Sequence, residues 1–230
     1  MIAETAIVYN ERVLSNKSIS IGHFSVVYEN VVIGQDVVIG EHVIIGRTPK
    51  PTKAMVRNLK HKKLTTLVGN GVSISAGVII YEGVEIGDNT LIGDNASIFT
   101  NVKIGKEVLI SRNVTINGDV TIGDRTRIMD NSHITGRVQI GNNVFISVGV
   151  NMVNDNLFGK KGFSNNVRGP IIEDYVSIGV GAILLPNIKI GKGSIVAAGS
   201  IVKQDVPDEV IVAGNPAKVI SKVPNSMRRE

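Results

Sequence analysis

Ile86-Gly-Asp-Asn-Thr-Leu-Ile92-Gly-Asp-Asn-Ala-Ser-Ile98 repeats itself every six residues. Such an internal period takes precedence over any other local signal. The phase holds in both directions. Isoleucine stands at 74, 80, 86, 92, 98, 104, 110, 116, 122, 128, 134, 140 and 146, and Met152 follows. A flanking block carries Ile21, Val27, Ile33, Ile39 and Ile45, and another carries Ile172, Ile178, Leu184, Ile190, Val196 and Val202. Gly often follows the Ile, as at Gly87, Gly105 and Gly123, and four places after the Ile sits a small or β-branched residue such as Thr90, Ala96 or Ser132.

An α-helix cannot use this pattern. Six residues turn a helix by about 600°, so the Ile stripe would spiral around its surface. Short strands separated by turns can use it, with Gly and Asn taking the unusual backbone angles at the corners. Successive coils then stack through parallel pairing, and Ile lies on Ile down the interior. The low aromatic content, 4% with no Trp, suits so narrow a core. The length of 230 residues fits one domain.

Other classes recede. With no Cys, disulfides, zinc thiolates and cysteine nucleophiles are excluded. The four histidines, His23, His42, His61 and His133, have no close pair with metal-ligand spacing, so no metal site is expected. The charge of +5 gathers between Arg47 and Lys63 and in the tail, without interleaved aromatics, which argues against a nucleic-acid partner. Neither a signal peptide nor a long apolar run is visible, so no membrane association and a cytoplasmic location are expected.

The hexads resemble those of the hexapeptide-repeat acyltransferase family over about residues 19–206. The resemblance implies an all-β, left-handed parallel β-helix with three hexads per coil and assembly as a homotrimer. The run from Ile178-Gly-Val-Gly-Ala through Val196-Ala-Ala-Gly-Ser to Gly214-Asn-Pro-Ala-Lys218 resembles the C-terminal half of its acetyltransferases. It implies acetyl-CoA as co-substrate. Residues 1–206 then form the β-helix and 207–230 an extension closing the coenzyme A groove. Small residues at Gly179, Gly181, Ala182, Ala197 and Ala198 would let pantetheine approach the backbone, with Lys203 and Lys218 near its phosphates. The bland alternative is a set of well-packed corners.

The phase breaks twice, between Ile45 and Ile74 and between Met152 and Ile172, so loops are inserted at about 47–66 and 153–169. Loops on a rigid scaffold are where function concentrates. The first is basic, and Arg57 and Lys60 are candidates to grip a diphosphate, unless the loop is merely solvated. Residues 140–156 resemble the branch that acetylates amino groups on nucleotide-linked sugars, with Asn154-Asp155 the relevant match.

Acyl transfer needs a nucleophile, a route for its proton, and donors for the oxyanion. Many family members place a general-base His at the loop after the long repeat. This chain reads Asn154-Asp155-Asn156 there. Eighteen residues make a coil, so His133 should stack beside position 151, and it is the base candidate unless it is a plain corner residue. Asp155 is assigned to hold the sugar or orient the amine, against a simple turn-forming role. Asn131 and Asn151 are expected at equivalent corners, where their amides, with Asn154 and Asn156, would meet substrate. Gly149 or Gly181 is the guess for the oxyanion N–H. The expected activity is N-acetylation of a nucleotide-linked amino sugar. A sugar O-acetyltransferase and a non-catalytic scaffold remain open.

Overall fold

The computed structural model describes residues 1–52, 64–157, 160 and 167–228. Among them, nearly all regular structure is short parallel strand, stacked into three sheets of eleven, ten and eight strands. The chain is a left-handed parallel β-helix, the parallel coils being what the hexads required and the hand what the resemblance implied. It visits the sheets in a fixed order. Face one receives Ser20–Ile21, Val38–Ile39 and their successors; face two receives Val26–Val27, Ile44–Arg47 and theirs; face three receives Val31–Ile33, Thr66–Val68 and theirs.

Each two-residue strand points its first side chain outward and its Ile inward. Ile80, Ile98, Ile116, Ile134 and their equivalents are fully buried and sit in register 18 residues apart, Ile98 against Ile116 and Ile116 against Ile134. Each contributes roughly 1.5–3 kcal/mol by leaving water. The small position four after the Ile is buried too. Where it is Ser or Thr, its hydroxyl donates to a corner carbonyl and accepts the amide one coil on. Thr126 donates to Gly141 O (2.8 Å) and accepts from Val144 N (3.1 Å). Ser132 does the same with Ser147 O and Val150 N.

The corners divide the labour differently from expectation. Positive φ falls on the second turn residue, for example Asn131 (61°) and Gly149 (67°). The glycine directly after the Ile is required for another reason. A Cβ on Gly123 would lie 2.5 Å from the Gly141 carbonyl carbon of the next coil.

The solenoid is longer than its legible repeat. Ile2 bridges Ile21, and Ile7–Val8 pairs with Val26–Val27, so a further coil precedes residue 19. A 19-residue stagger and the short helix Glu11–Ser15, which buries Val13, conceal it in the sequence. At the other end Val210–Gly214 adds a parallel rung to face one, and Ala217–Lys222 folds back on it antiparallel. The segment from 207 thus continues the stack before it caps it. No helix among the described residues is long and apolar enough to cross a membrane.

Both inserts leave the stack at one corner, between faces two and three. The first separates Ile44–Arg47 from Thr66–Val68 and pushes Ile45 and Ile80 to 35 residues apart. The second separates Asn151–Met152 from Ile171–Ile172 and pushes Ile140 and Ile172 to 32. Five strand steps on face two lie between them, about 24 Å at the usual spacing.

Candidate functional site

Face two, from the first insert upward past the second, presents a continuous strip. Its central column of outward side chains runs Ile79, Ser97, Thr115, His133, Asn151, Ile183 and Ile201. The column is polar in the middle and apolar at both ends. His133 pairs in register with Asn151, as the 18-residue arithmetic required. Its ring is partly buried, and burial lowers its pKa, favouring the neutral form. Thr115 Oγ1 lies 2.7 Å from His133 Nδ1, which leaves Nε2 for another partner.

The corner from face one to face two borders this column. It holds Asn113, Asn131, Gly149, Gly181 and Gly199, all with positive φ. At His133 the corner changes from Asn to Gly. Nothing lies within 4 Å of a Cβ built on Gly149, Gly181 or Gly199, so these three stacked turns border open space that any side chain would occupy. Val148 and Val180, beside them, are exposed. An extended, partly apolar ligand can lie along such a track close to the main chain, which fits the pantetheine arm of coenzyme A.

The remaining sequence candidates lie at various distances from this junction. Gly179 packs under Ala197 and Ala198, with a Cβ position only 2.5 Å from Ala198 N. These three residues form the wall beside the track. Ala182 is fully buried, so it fills the core and lines nothing. Lys203 is exposed at the end of the last strand on face two, and Lys218 is exposed on the capping strand above face one. They stand at opposite edges of the upper strip.

Two expectations change. Asn131 and Asn151 are not equivalent: Asn131 occupies a turn, where Gly149 stacks on it, whereas Asn151 lies in the strand beside His133 and donates to Gly149 O (2.9 Å). The amides of Gly149 and Gly181 already donate to Asp130 O and Val148 O, both at 3.0 Å, so neither offers a free oxyanion donor. Asp155 Oδ1 accepts from Leu157 N (2.7 Å), a turn contact at the start of the second insert. Asn154 donates to Gly136 O (3.2 Å), tying the start of the second insert to the coil below, and Asn156 is exposed. Arg57 and Lys60 lie outside the described residues.

The sequence reading missed Thr115, Gly199 and the aromatic pair Tyr81 and Phe99. Thr115 and Gly199 follow from counting 18 back from His133 and 18 forward from Gly181, whereas the aromatic pair adjoins no site candidate already singled out. No group of three His, Asp or Glu among the described residues is placed to hold a metal. A surface hollow of about 580 Å³ lies elsewhere, on face three, around Gln139, Ile171 and Lys192. It is open and bordered by the Lys189–Glu173 ion pair (2.6 Å), on the face adjoining that of His133.

The family model for bacterial transferase hexapeptide (six repeats) matches residues 65–100, 101–136, 119–152 and 169–204. The chain belongs to the bacterial transferase hexapeptide family. It is similar to 2,3,4,5-tetrahydropyridine-2,6-dicarboxylate N-acetyltransferase from Clostridium perfringens, 62% identical over 53 residues, which is 23% of this chain and 22% of that protein. The Staphylococcus aureus protein of the same name is 60% identical over 52 residues, again 23% and 22%. The match therefore spans about a fifth of these relatives' length. Among solved structures, the Arabidopsis UDP-N-acetylglucosamine acyltransferase aligns with TM-score 0.68 at 18% identity, covering 96% of this chain and 74% of that one. LpxA from Acinetobacter baumannii aligns with TM-score 0.55 at 21% identity, covering 96% and 72%. At such identities these two share the fold.

Proposed function

We propose that the protein is an acetyl-CoA-dependent N-acetyltransferase whose acceptor is the amino group of a nucleotide-linked sugar. The observation that carries this reading is the junction itself. A half-buried, neutral-leaning His133 sits beside the point where the corner opens into the Gly149–Gly181–Gly199 track. The names of the bacterial relatives support transfer to nitrogen.

In this reading the track, with Ala197 and Ala198 as its wall, holds the pantetheine arm. Lys203 and Lys218 meet the phosphates. His133 Nδ1–H donates to Thr115 Oγ1, and Nε2 accepts the proton lost by the acceptor nitrogen. As the C–N bond forms and the thioester C–S bond breaks, that proton passes to the departing sulfur. Asn151, beside His133, binds the acceptor. The outward residues of the strip between Ser97 and Asn151 carry hydroxyls, amides and one imidazole, which suits a hydroxylated sugar better than a dicarboxylate. A homotrimer belongs to the same reading, supported by the exposed apolar Val32, Leu67 and Ile171 on face three.

The test is thiol release from acetyl-CoA with a panel of dTDP- and UDP-linked amino sugars, hydroxyl-only sugars and a cyclic imine dicarboxylate. Release with an amino sugar alone is expected. Release only with hydroxyl acceptors, or only with the dicarboxylate, overturns the acceptor. His133→Gln should lower kcat at least tenfold, about 1.4 kcal/mol, and abolish an acid limb whose midpoint lies below 6.5.

A further inference from the structure

Two coils below Thr135, the corner between faces two and three changes character. Tyr81 and Phe99 meet at a tilt across neighbouring coils, with ring centroids 4.8 Å apart and planes inclined at 60°. The guanidinium of Arg47 lies 5.6 Å from the Tyr81 ring centre. The chain leaves the stack for its basic insert immediately after Arg47. That exit is held in place: Thr48 Oγ1 donates to the buried Glu82 carboxylate (2.9 Å), and Glu82 N donates to Arg47 O (3.1 Å). Both rings are partly exposed, and the next residue up the corner is the exposed Asn117. With only nine aromatic residues in the chain, two on successive coils of one corner beside an arginine is a concentrated feature.

Its position relative to His133 gives it meaning. Ser97 and Phe99 share a coil two steps below His133, and Ile79 and Tyr81 share a coil three steps below. At the usual strand spacing the rings lie about 10–14 Å along the strip from the imidazole. Between them lie Thr115 and Asn117, without a charged outward side chain. A base and a hexose joined through ribose and diphosphate span a comparable length.

We propose that Tyr81, Phe99 and Arg47 form the nucleotide handle of the site. The base stacks on the Phe99 ring, which Tyr81 supports edge-on with Arg47 behind it; Asn117 hydrogen-bonds the base edge, and the ribose and diphosphate run on past Thr115, so that the sugar amine arrives at His133. Planar stacking tolerates several bases, while an Asn amide, offering one donor and one acceptor, selects among their edges. This inference rests on the nucleotide-linked acceptor proposed above.

The experiment separates the two. Binding of dTDP and of UDP to the whole protein is measured by calorimetry, without acetyl-CoA or an amino sugar. Phe99→Ala and Tyr81→Ala should each weaken binding about tenfold or more, Phe99→Tyr should retain it, and Arg47→Ala, behind the Tyr81 ring, should weaken it less than either. Asn117→Ala, at an exposed position, should change the preference between dTDP or UDP and ADP. Thermal melts and light scattering on each variant check folding and assembly. Unchanged diphosphate binding in Phe99→Ala and Asn117→Ala overturns the handle. So does a loss of binding that tracks a change in oligomeric mass, because the rings would then hold a subunit contact. If nucleotide-linked amino sugars are acetylated with unchanged KM in Phe99→Ala, the handle fails while the acceptor class stands. If the wild type neither binds the diphosphates nor acetylates any nucleotide-linked sugar, both fail.

Discussion

Gly179 and Gly181 stand two positions apart and do opposite work. At Gly179 a Cβ meets the backbone of the next coil at 2.5 Å; at Gly181 it meets nothing within 4 Å but must accept φ of 66°. Gly179→Ala should therefore lower the melting temperature by separating two coils. Gly181→Ala should cost only the left-handed strain of about 1 kcal/mol while raising KM for acetyl-CoA, because the methyl projects into the track. Melting curves and steady-state kinetics on the two variants check the contrast; a Gly181 variant with unchanged KM would remove the track from coenzyme binding. At this scale the sequence was partly legible. His133 was found because a register of 18 places it beside Asn151. The Gly149 and Gly181 amides were misassigned because the period says which residues adjoin and not which N–H groups are already spent on the coil below.

The repeating element is one side of a coil and its corner. Its stability has a polar component that the Ile stripe conceals. At the corner from face three to face one, Asx side chains accept the amide of the equivalent residue one coil earlier: Asp88 from Asn70 N (2.8 Å), Asp124 from Lys106 N (2.8 Å), Asn142 from Asp124 N (2.8 Å) and Asp174 from Asn142 N (2.6 Å). Asp130 does so at the next corner, accepting from Arg112 N (3.1 Å). The Arg112 guanidinium and the Ser111 hydroxyl also donate to its carboxylate and hold its pKa down to about 2. The Asn70 amide likewise lowers that of Asp88. A carboxylate whose pKa is lower folded than unfolded stabilises the fold above the unfolded value, and that contribution is lost as pH falls through the folded one. Asp130→Asn should therefore melt below the wild type at neutral pH, with the gap closing between about pH 4 and 2. A gap independent of pH would leave only a packing role. The Asn and Asp at these positions were visible as turn formers. Their second job, tying one coil to the next, needed the stacking register before it could be read. The same applies to Tyr81 and Phe99, which look unrelated until coils are aligned.

Among the described residues each coil pairs with the coils above and below it. Stability in such a stack is close to a sum of nearest-neighbour terms. Its two ends differ from its middle. The first coil substitutes a five-residue helix for a strand, and the last carries a hairpin of which Val219 and Ile220 remain exposed. Amide exchange should thus be slowest around Ile98–Ile134 and fastest within Ile2–Ile21 and Ala217–Lys222. Uniform protection from end to end would mean that the stack opens all at once. Legibility followed the same gradient. The unbroken central hexads declared themselves, while the terminal coils, with their irregular stagger, did not.

The shared corner of the two inserts has a consequence for how such a protein can change. A complete coil gained or lost between Arg47 and Asn151 returns every remaining side chain to its own face, because the chain re-enters the stack at the same phase. The loops would separate or approach by one strand spacing, about 4.8 Å, and by nothing in between. The reach from one loop to the other is therefore adjustable only in whole notches, like a ratchet, while the chemistry at either end is left untouched.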